Sequence, residues 1–368
     1  MDNPFNPSFG KMPNIFLNRD SLTNRIINEL NRGNSPYQTS LIYGQRGSGK
    51  TTLMTNITNQ LNDDKNWIVI NLILDDDLLI SLINQLQNSL VSLKLSKTLD
   101  LDLKFNFMGL GLEASVNQQV EENFQLIFEN ILKKLTQKGY KVLLCIDEVK
   151  LDPLLKKLAS TYQIMIREDL NVSLLMAGLP ENVSEIQNDD VLTFLLRANR
   201  IILSPLSVED VKLSYHHIFT EAGYQLDQTT LLYMTKQTLG FAYAFQLLGY
   251  HVWNAAKQQA DKLITEKTID SILGVYTSDL NRNVYFKVYS ELSAKEKEFV
   301  QAMVKAKNNK VKSKTIGQIM HKDANYISVY RRKLIDDQII QPADYGYVSF
   351  LLPKFDQFVQ QQMILDEI

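Results

Sequence analysis

One cysteine, Cys145, is all that 368 residues contain. A lone thiol closes no intrachain disulfide, and its place inside the apolar run Val142–Ile146 marks it as a small core residue. Histidine is also scarce. His216, His217, His251 and His321 are scattered without ligand spacing, so no metal site is built from them. No stretch approaches the ~20 apolar residues that a membrane span needs. The start, Met1–Gly10, is rich in Asn and Pro and lacks the basic and apolar regions of a signal peptide. The expectation is a cytoplasmic protein without membrane contact. A net charge of only -2 excludes a generally basic nucleic-acid coat, so any such contact must come from a local patch.

What is present is an ordinary globular composition, 45% hydrophobic and 22% charged, in a chain long enough for two or three domains. Residues 1–19 interleave Pro4, Pro7 and Pro13 with Phe5, Phe9 and Phe16. Proline blocks regular structure, while the rings can pin an extended arm onto a core. Asp20–Ser21 then caps a helix carrying Leu22, Ile26, Ile27 and Leu30, ended by Gly33. Five β-like runs follow: Ser40–Tyr43, Trp67–Leu72, Val142–Ile146, Val172–Ala177 and Arg200–Leu203. Helical stretches such as Lys50–Leu61, Glu121–Gln137 and Leu154–Glu168 lie between them. Apolar strands alternating with helices predict an α/β core, a parallel sheet flanked by helices. Within it, residues 95–118 read as an inserted hairpin: Leu99 to Phe107 alternate, and Gly109 and Gly111 turn the chain toward Leu112–Val116.

Gly44-Gln45-Arg46-Gly47-Ser48-Gly49-Lys50-Thr51 fits the phosphate-loop pattern G-x-x-x-x-G-K-[ST] at every fixed position. By residue frequencies alone, a chain of this length would show it roughly once in a hundred times. It also follows an apolar strand and opens a helix, as its mechanism requires. The glycines let successive N–H groups point at an anion, and the helix N-terminus adds positive potential. Lys50 would reach the β- and γ-phosphates of ATP, and the Thr51 hydroxyl would ligate Mg²⁺, with Thr52 beside it. The strand Val142–Ile146 delivers Asp147 and Glu148 to its carboxyl end, where parallel sheets bind ligands. Asp147 would hold the magnesium shell, and Glu148 would polarise the attacking water.

Together these residues resemble the ATPase module of the AAA+ superfamily, in the branch shared by archaeal ATPases, STAND proteins and origin-recognition-like initiators. Phe16-Leu17-Asn18-Arg19-Asp20 resembles the opening segment of that family, which implies that Phe16 and Leu17 lie against the adenine. Leu174–Ala177 running into Gly178-Leu179-Pro180 stands where the branch carries its sensor-1 region, and Arg197–Leu206 resembles the approach to its lid. The resemblance also implies an arginine finger, Arg200 or Arg197, given in trans by a neighbour in a homo-oligomer. Two departures point to slow turnover. The sensor strand ends in Met176, Ala177 and Gly178, and Gly240-Phe241-Ala242-Tyr243-Ala244 supplies no lid arginine, with Ala242 where some relatives have proline. Arg46, inside the loop, is expected to face solvent.

After Pro205 the strand signals stop. Ser207–Ala222, Gln228–Gln237 and Ala242–Gln259 read as helices, with another from Thr265. The predicted division is an ATPase core at 1–204, a helical lid at 205–284 and a last domain at 285–368. In that domain Ser293–Ala306 opens on a capping box with Glu296, and Ser313–Met320 and Asp323–Asp337 follow. Ile339–Ile340, a turn at Asp344-Tyr345-Gly346 and Tyr347–Leu351 complete what resembles a winged helix. Between residues 300 and 335 nine lysines and arginines face a single acid, Asp323. That segregation is the footprint of a phosphate-binding surface. Lys314, Asn325, Ser328, Arg331 and Arg332 are the candidate contacts to duplex DNA, with Tyr326 and Tyr330 expected to be packed. The sequence therefore predicts an ATP-dependent DNA-binding protein. Its rival is a STAND-like switch that changes partners or assembly state without DNA.

Overall fold

The computed structural model describes residues 2–8, 19–95, 113–259 and 261–366. They form two compact units. One holds residues 21–43 and 53–202; the other holds 1–20, 44–52 and 203–368.

The first unit alternates helix and strand: α1 (Asp20–Arg32), β1 (Thr39–Tyr43), α2 (Lys50–Asn62), β2 (Trp67–Leu72), α3 (Leu78–Ser92), α4 (Glu113–Gln137), β3 (Lys141–Ile146), α5 (Pro153–Arg167), β4 (Val172–Gly178), α6 (Pro180–Asn188) and β5 (Asn199–Ile202). All five strands predicted from apolar runs are present. They pair in parallel in the order β2-β3-β4-β1-β5. The central strands β1, β3 and β4 are buried on both faces, whereas the edge strand β5 buries only Ile201. Leu144 and Met176 join one core cluster, while their neighbours Leu143, Cys145 and Leu175 are equally buried on the other side. Burial pushes the Cys145 thiol well above its ordinary pKa, as expected of an inert core sulfur. Asp152 caps α5 by accepting from the amides of Leu154 and Leu155, with Pro153 at the first helical position.

The expected hairpin at 95–118 is corrected at its second half. Helix α4 already runs from Glu113, so residues 113–116 of the expected second strand are helical. Val116, Val120 and Phe124 recur at helical spacing, and this longer period outweighs the brief alternation of Leu112, Ala114 and Val116. The first half, Leu99–Phe107, lies outside the described residues.

The second unit carries α7 (Val208–Glu221), α8 (Gln228–Lys236), α9 (Ala242–Lys257), α10 (Glu266–Leu280), α11 (Phe286–Glu291), α12 (Ala294–Lys305), β6 (Val311–Lys312), α13 (Ser313–Met320), α14 (Ala324–Asp336), β7 (Ile340–Pro342), β8 (Tyr347–Phe350) and α15 (Phe355–Asp366). Polar caps set the helix starts: Ser207, Asp227 and Asp323 each accept from an amide one turn on, and Ser293 with Glu296 forms the predicted capping box. Strands β6, β8 and β7 make a small antiparallel sheet after the helices. The division expected at residues 284 and 285 falls inside a helical run. α10 passes through a π-turn at Asn281–Tyr285 directly into α11, with Val284 and Tyr285 buried in one core shared from Phe5 to Val359. No Pro or Gly stands there to break it.

The N-terminal arm behaves as its rings predict at Phe5, which is buried against Tyr215, Phe219, Phe245 and Trp253 at centroid distances of 5.5–6.4 Å. Gly249 has no side chain because a Cβ there would lie 2.4 Å from that ring. Replacing Phe5 by Ala is expected to cost about 3–5 kcal/mol through lost burial and a residual cavity. Urea unfolding followed by Trp253 fluorescence should show a clearly lower midpoint; an unchanged one would mean that the arm is not held.

Candidate functional site

The loop Gly44–Thr51 leaves β1 and opens α2 at Lys50. β1 and β3 are parallel with β4 between them, so Tyr43 and Ile146 end at the same edge of the sheet. Gly47 and Gly49 have φ of 79° and 92°, values at which an L side chain is strained. Gly47 is also closed to a side chain: a Cβ would lie 2.7 Å from Phe241 and 2.8 Å from Tyr243. The Tyr243 amide donates to the Gly47 carbonyl at 3.0 Å. The segment 240–244, which lacks the lid arginine, therefore packs on the loop with rings and backbone.

Lys50 Nζ donates to the carbonyls of Gly44 at 2.7 Å and Gln45 at 3.1 Å. The ammonium is thereby tied back across its own loop instead of extending into water. Gly44 is tight for a different reason, since a Cβ would meet Ser48 Oγ at 2.6 Å. Ser48 Oγ is buried and has no hydrogen-bond partner. Thr51 and Thr52 are half-buried on the first turn of α2.

A narrow cleft opens beside the loop. Gln45 and Ser48 line it together with Arg19, Leu203, Phe241 and Leu352. Arg19 donates from Nη2 to the Ser204 carbonyl at 3.3 Å, whereas Nη1 is buried without a partner. Burial lowers its guanidinium pKa to about 10. Sequence reasoning named Arg19 within the opening segment Phe16–Asp20 and gave it no role of its own. Phe16 and Leu17, expected at the adenine, lie outside the described residues.

In the sheet unit, Asp147 follows β3 and accepts from the Glu148 amide at 2.8 Å. Glu148 is exposed and has φ of 52°, a left-handed conformation uncommon for its type and concentrated at functional positions. Met176 and Ala177 are fully buried at the end of β4, so that strand end presents no polar sensor. Arg197 and Arg200 are both exposed.

Two of the loop's variable residues have partners far along the chain. Arg46, expected to face water, pairs with Glu291 at 2.9 Å, and the Gln45 amide donates to Gln338 Oε1 at 3.1 Å.

On α14, Asn325, Ser328 and Arg332 are exposed at spacings of three and four, so they share one face. Val329, 62% exposed, lies on that face too and was not predicted. Arg331 is half-buried with an unpartnered Nε and stands apart from the exposed set. Tyr326 and Tyr330 pack on each other at 4.8 Å, as expected. Lys314 is exposed on α13. The basic segment is weaker than its sequence count, because Lys333 pairs with Glu296 at 2.8 Å and Lys310 with Asp344 at 3.0 Å. Tyr345, at the turn between β7 and β8, is wholly exposed.

Residues 16–165 match the family described as an ATPase domain predominantly from Archaea, and residues 282–359 match a domain of unknown function, DUF8462. No curated protein matches the sequence. Among solved structures, a Walker-type ATPase of Pyrococcus abyssi is similar at 13% identity and a TM-score of 0.61, over 94% of this chain and 96% of that one. The ORC2 protein of Aeropyrum pernix, solved in ADPNP–ADP complexes, is similar at 12% identity and a TM-score of 0.59, over 97% and 98%. These likenesses are of fold, and they extend over nearly the whole chain.

Proposed function

We propose, from the match of residues 16–165 to an ATPase domain predominantly from Archaea, that the chain binds and slowly hydrolyses ATP and uses nucleotide state to control binding of duplex DNA. The observation that carries the nucleotide half is the loop itself. Gly47 and Gly49 at positive φ curl the loop, and Lys50 is held across it by the carbonyls of Gly44 and Gln45. In this reading residues 44–52 cradle the phosphates and Lys50 neutralises the β- and γ-groups.

Thr51 and Asp147 offer hard oxygen donors, which suit magnesium. The described residues contain no group of three or more His, Cys, Asp or Glu that makes a metal site alone. The ion therefore fits as one brought with the nucleotide, whose phosphates and water complete its shell. Bound there, magnesium supplies charge neutralisation of the phosphates. Glu148 orients water toward the γ-phosphate. Slow turnover follows from an apolar sensor strand and a lid segment without arginine, which leave transition-state charge less compensated. Exposed Arg200, or Arg197, can supply that charge to a second copy in a homo-oligomer.

The DNA half rests on the last domain, which we read as a winged helix with α14 as its recognition helix. Asn325, Ser328, Val329 and Arg332 share its open face, and Lys314 adds charge nearby. Polar and cationic side chains on such a face contact phosphates and base edges. Binding to duplex DNA should fall steeply with salt. Arg332→Ala should weaken it and reduce the slope of log affinity against log salt by about one. Fluorescence anisotropy across a salt series reads both values. No binding of the wild type at low salt removes the DNA half and leaves the protein-partner switch.

A further inference from the structure

The phosphate cradle needs its glycines, Lys50 and Thr51; it makes no chemical demand on Gln45 or Arg46. Yet both are engaged, and with the same part of the chain. The Gln45 side-chain amide donates to the Asp337 carbonyl, and the Gln45 backbone amide donates to Gln338 Oε1 at 3.1 Å. The Arg46 guanidinium reaches both Glu291 oxygens, at 2.9 and 3.4 Å. Asp337 is the C-cap of α14, and Glu291 is the last residue of α11. The loop is therefore tied to the ends of two helices nearly 250 and 300 residues along.

Gln338 adds an independent sign. Its φ is 57°, in the left-handed region, at the position after a helix where glycine is ordinarily used. The turn alone would be easier with glycine. A glutamine there retains what glycine lacks, a side-chain oxygen that accepts from the Gln45 N–H.

We infer that Gln338, Asp337 and Glu291 are positioning residues of the phosphate loop, and that this latch couples nucleotide binding to the carboxyl end of α14. The inference rests on the proposed nucleotide site and adds to it the device by which the last domain senses occupancy. With Gln45 and Arg46 fixed, the carbonyls of Gly44 and Gln45 stay in place to hold Lys50. The coupling is reciprocal by linkage: whatever the latch contributes to nucleotide affinity, nucleotide returns to the order of α14 and the turn after it.

Hydrogen exchange and ADP calorimetry on the full chain test this with four proteins: wild type, Gln338→Gly, Glu291→Arg, and the exchanged pair Arg46→Glu with Glu291→Arg. Gln338→Gly keeps the left-handed turn and removes only the acceptor, so loss of fold does not confuse the result. ADP should slow exchange at residues 324–342 in the wild type. Gln338→Gly and Glu291→Arg should lose that protection and bind ADP about five- to tenfold more weakly, within the usual range of coupling between sites. The exchanged pair should recover most of both. Single variants that match the wild type in ADP affinity and in protection overturn the latch. If the wild type binds no ADP, the nucleotide reading fails instead. Exchange without nucleotide then decides the contact: faster exchange at 44–52 and 324–342 in Gln338→Gly supports it, and unchanged exchange removes it.

Discussion

Replacing Lys50 by Ala should lower phosphate release from ATP by about a hundredfold or more. Removal of a single pre-aligned donor from developing negative charge typically costs about 10²–10³ in rate. In the proposed site Lys50 is that donor, and carbonyls from the first two residues of the loop hold its ammonium at 2.7 and 3.1 Å. Those carbonyls cannot neutralise it, so an arriving triphosphate meets a cation already in place. The fold should survive the change. Lys50 is only half-buried at the start of α2, and alanine is the best helix former. A coupled phosphate assay, with circular dichroism to verify folding, reads the effect. A variant as active as the wild type would remove Lys50 from the site.

Glu148→Gln should separate binding from turnover. Glutamine keeps the size and one acceptor oxygen but cannot take a proton from water. General-base contributions are typically about 10²–10⁴-fold, so hydrolysis should fall by that order while ATP affinity changes by less than about threefold. The backbone at this position supports the assignment. Glu148 lies at φ 52°, beyond a strand whose last residue, Ile146, is fully buried, and its amide is taken by Asp147. Strain of this kind persists where the surroundings enforce it, and it turns an acid outward at the edge where parallel sheets hold ligands. Single-turnover hydrolysis and equilibrium binding, measured on the same preparation, give the two numbers. Loss of affinity in step with loss of rate would make Glu148 a binding or structural residue instead.

Sequence alone carried the sheet because its central strands β1, β3 and β4 are apolar and buried on both faces, a pattern that helices do not need. The loop was legible because the phosphate-loop pattern fixes four of its eight residues. Legibility ended where the constraint was local and short or distant in the chain. Leu112, Ala114 and Val116 alternate over five residues, and only the continuation to Phe124 reveals the helix α4. The junction near residue 284 carries no breaker, and a π-turn joins α10 to α11 in one helical run. Helices α3, α6 and α15 stand where no helical stretch had been named. The ties of Gln45 and Arg46 to Gln338 and Glu291 were invisible, because the phosphate pattern leaves those two loop positions unconstrained. Two of the nine basic residues in the C-terminal segment likewise proved to be paired, which no charge count can show.

Isothermal calorimetry of the wild-type chain with ATP and with ADP, at millimolar magnesium, addresses the central claim most directly. Saturable heat at about one nucleotide per chain, lost in Lys50→Ala, is the result that a phosphate cradle at Gly44–Thr51 requires. A flat titration from a folded protein would contradict it, and the hydrolysis, the latch coupling and the nucleotide control of DNA binding would fall with it.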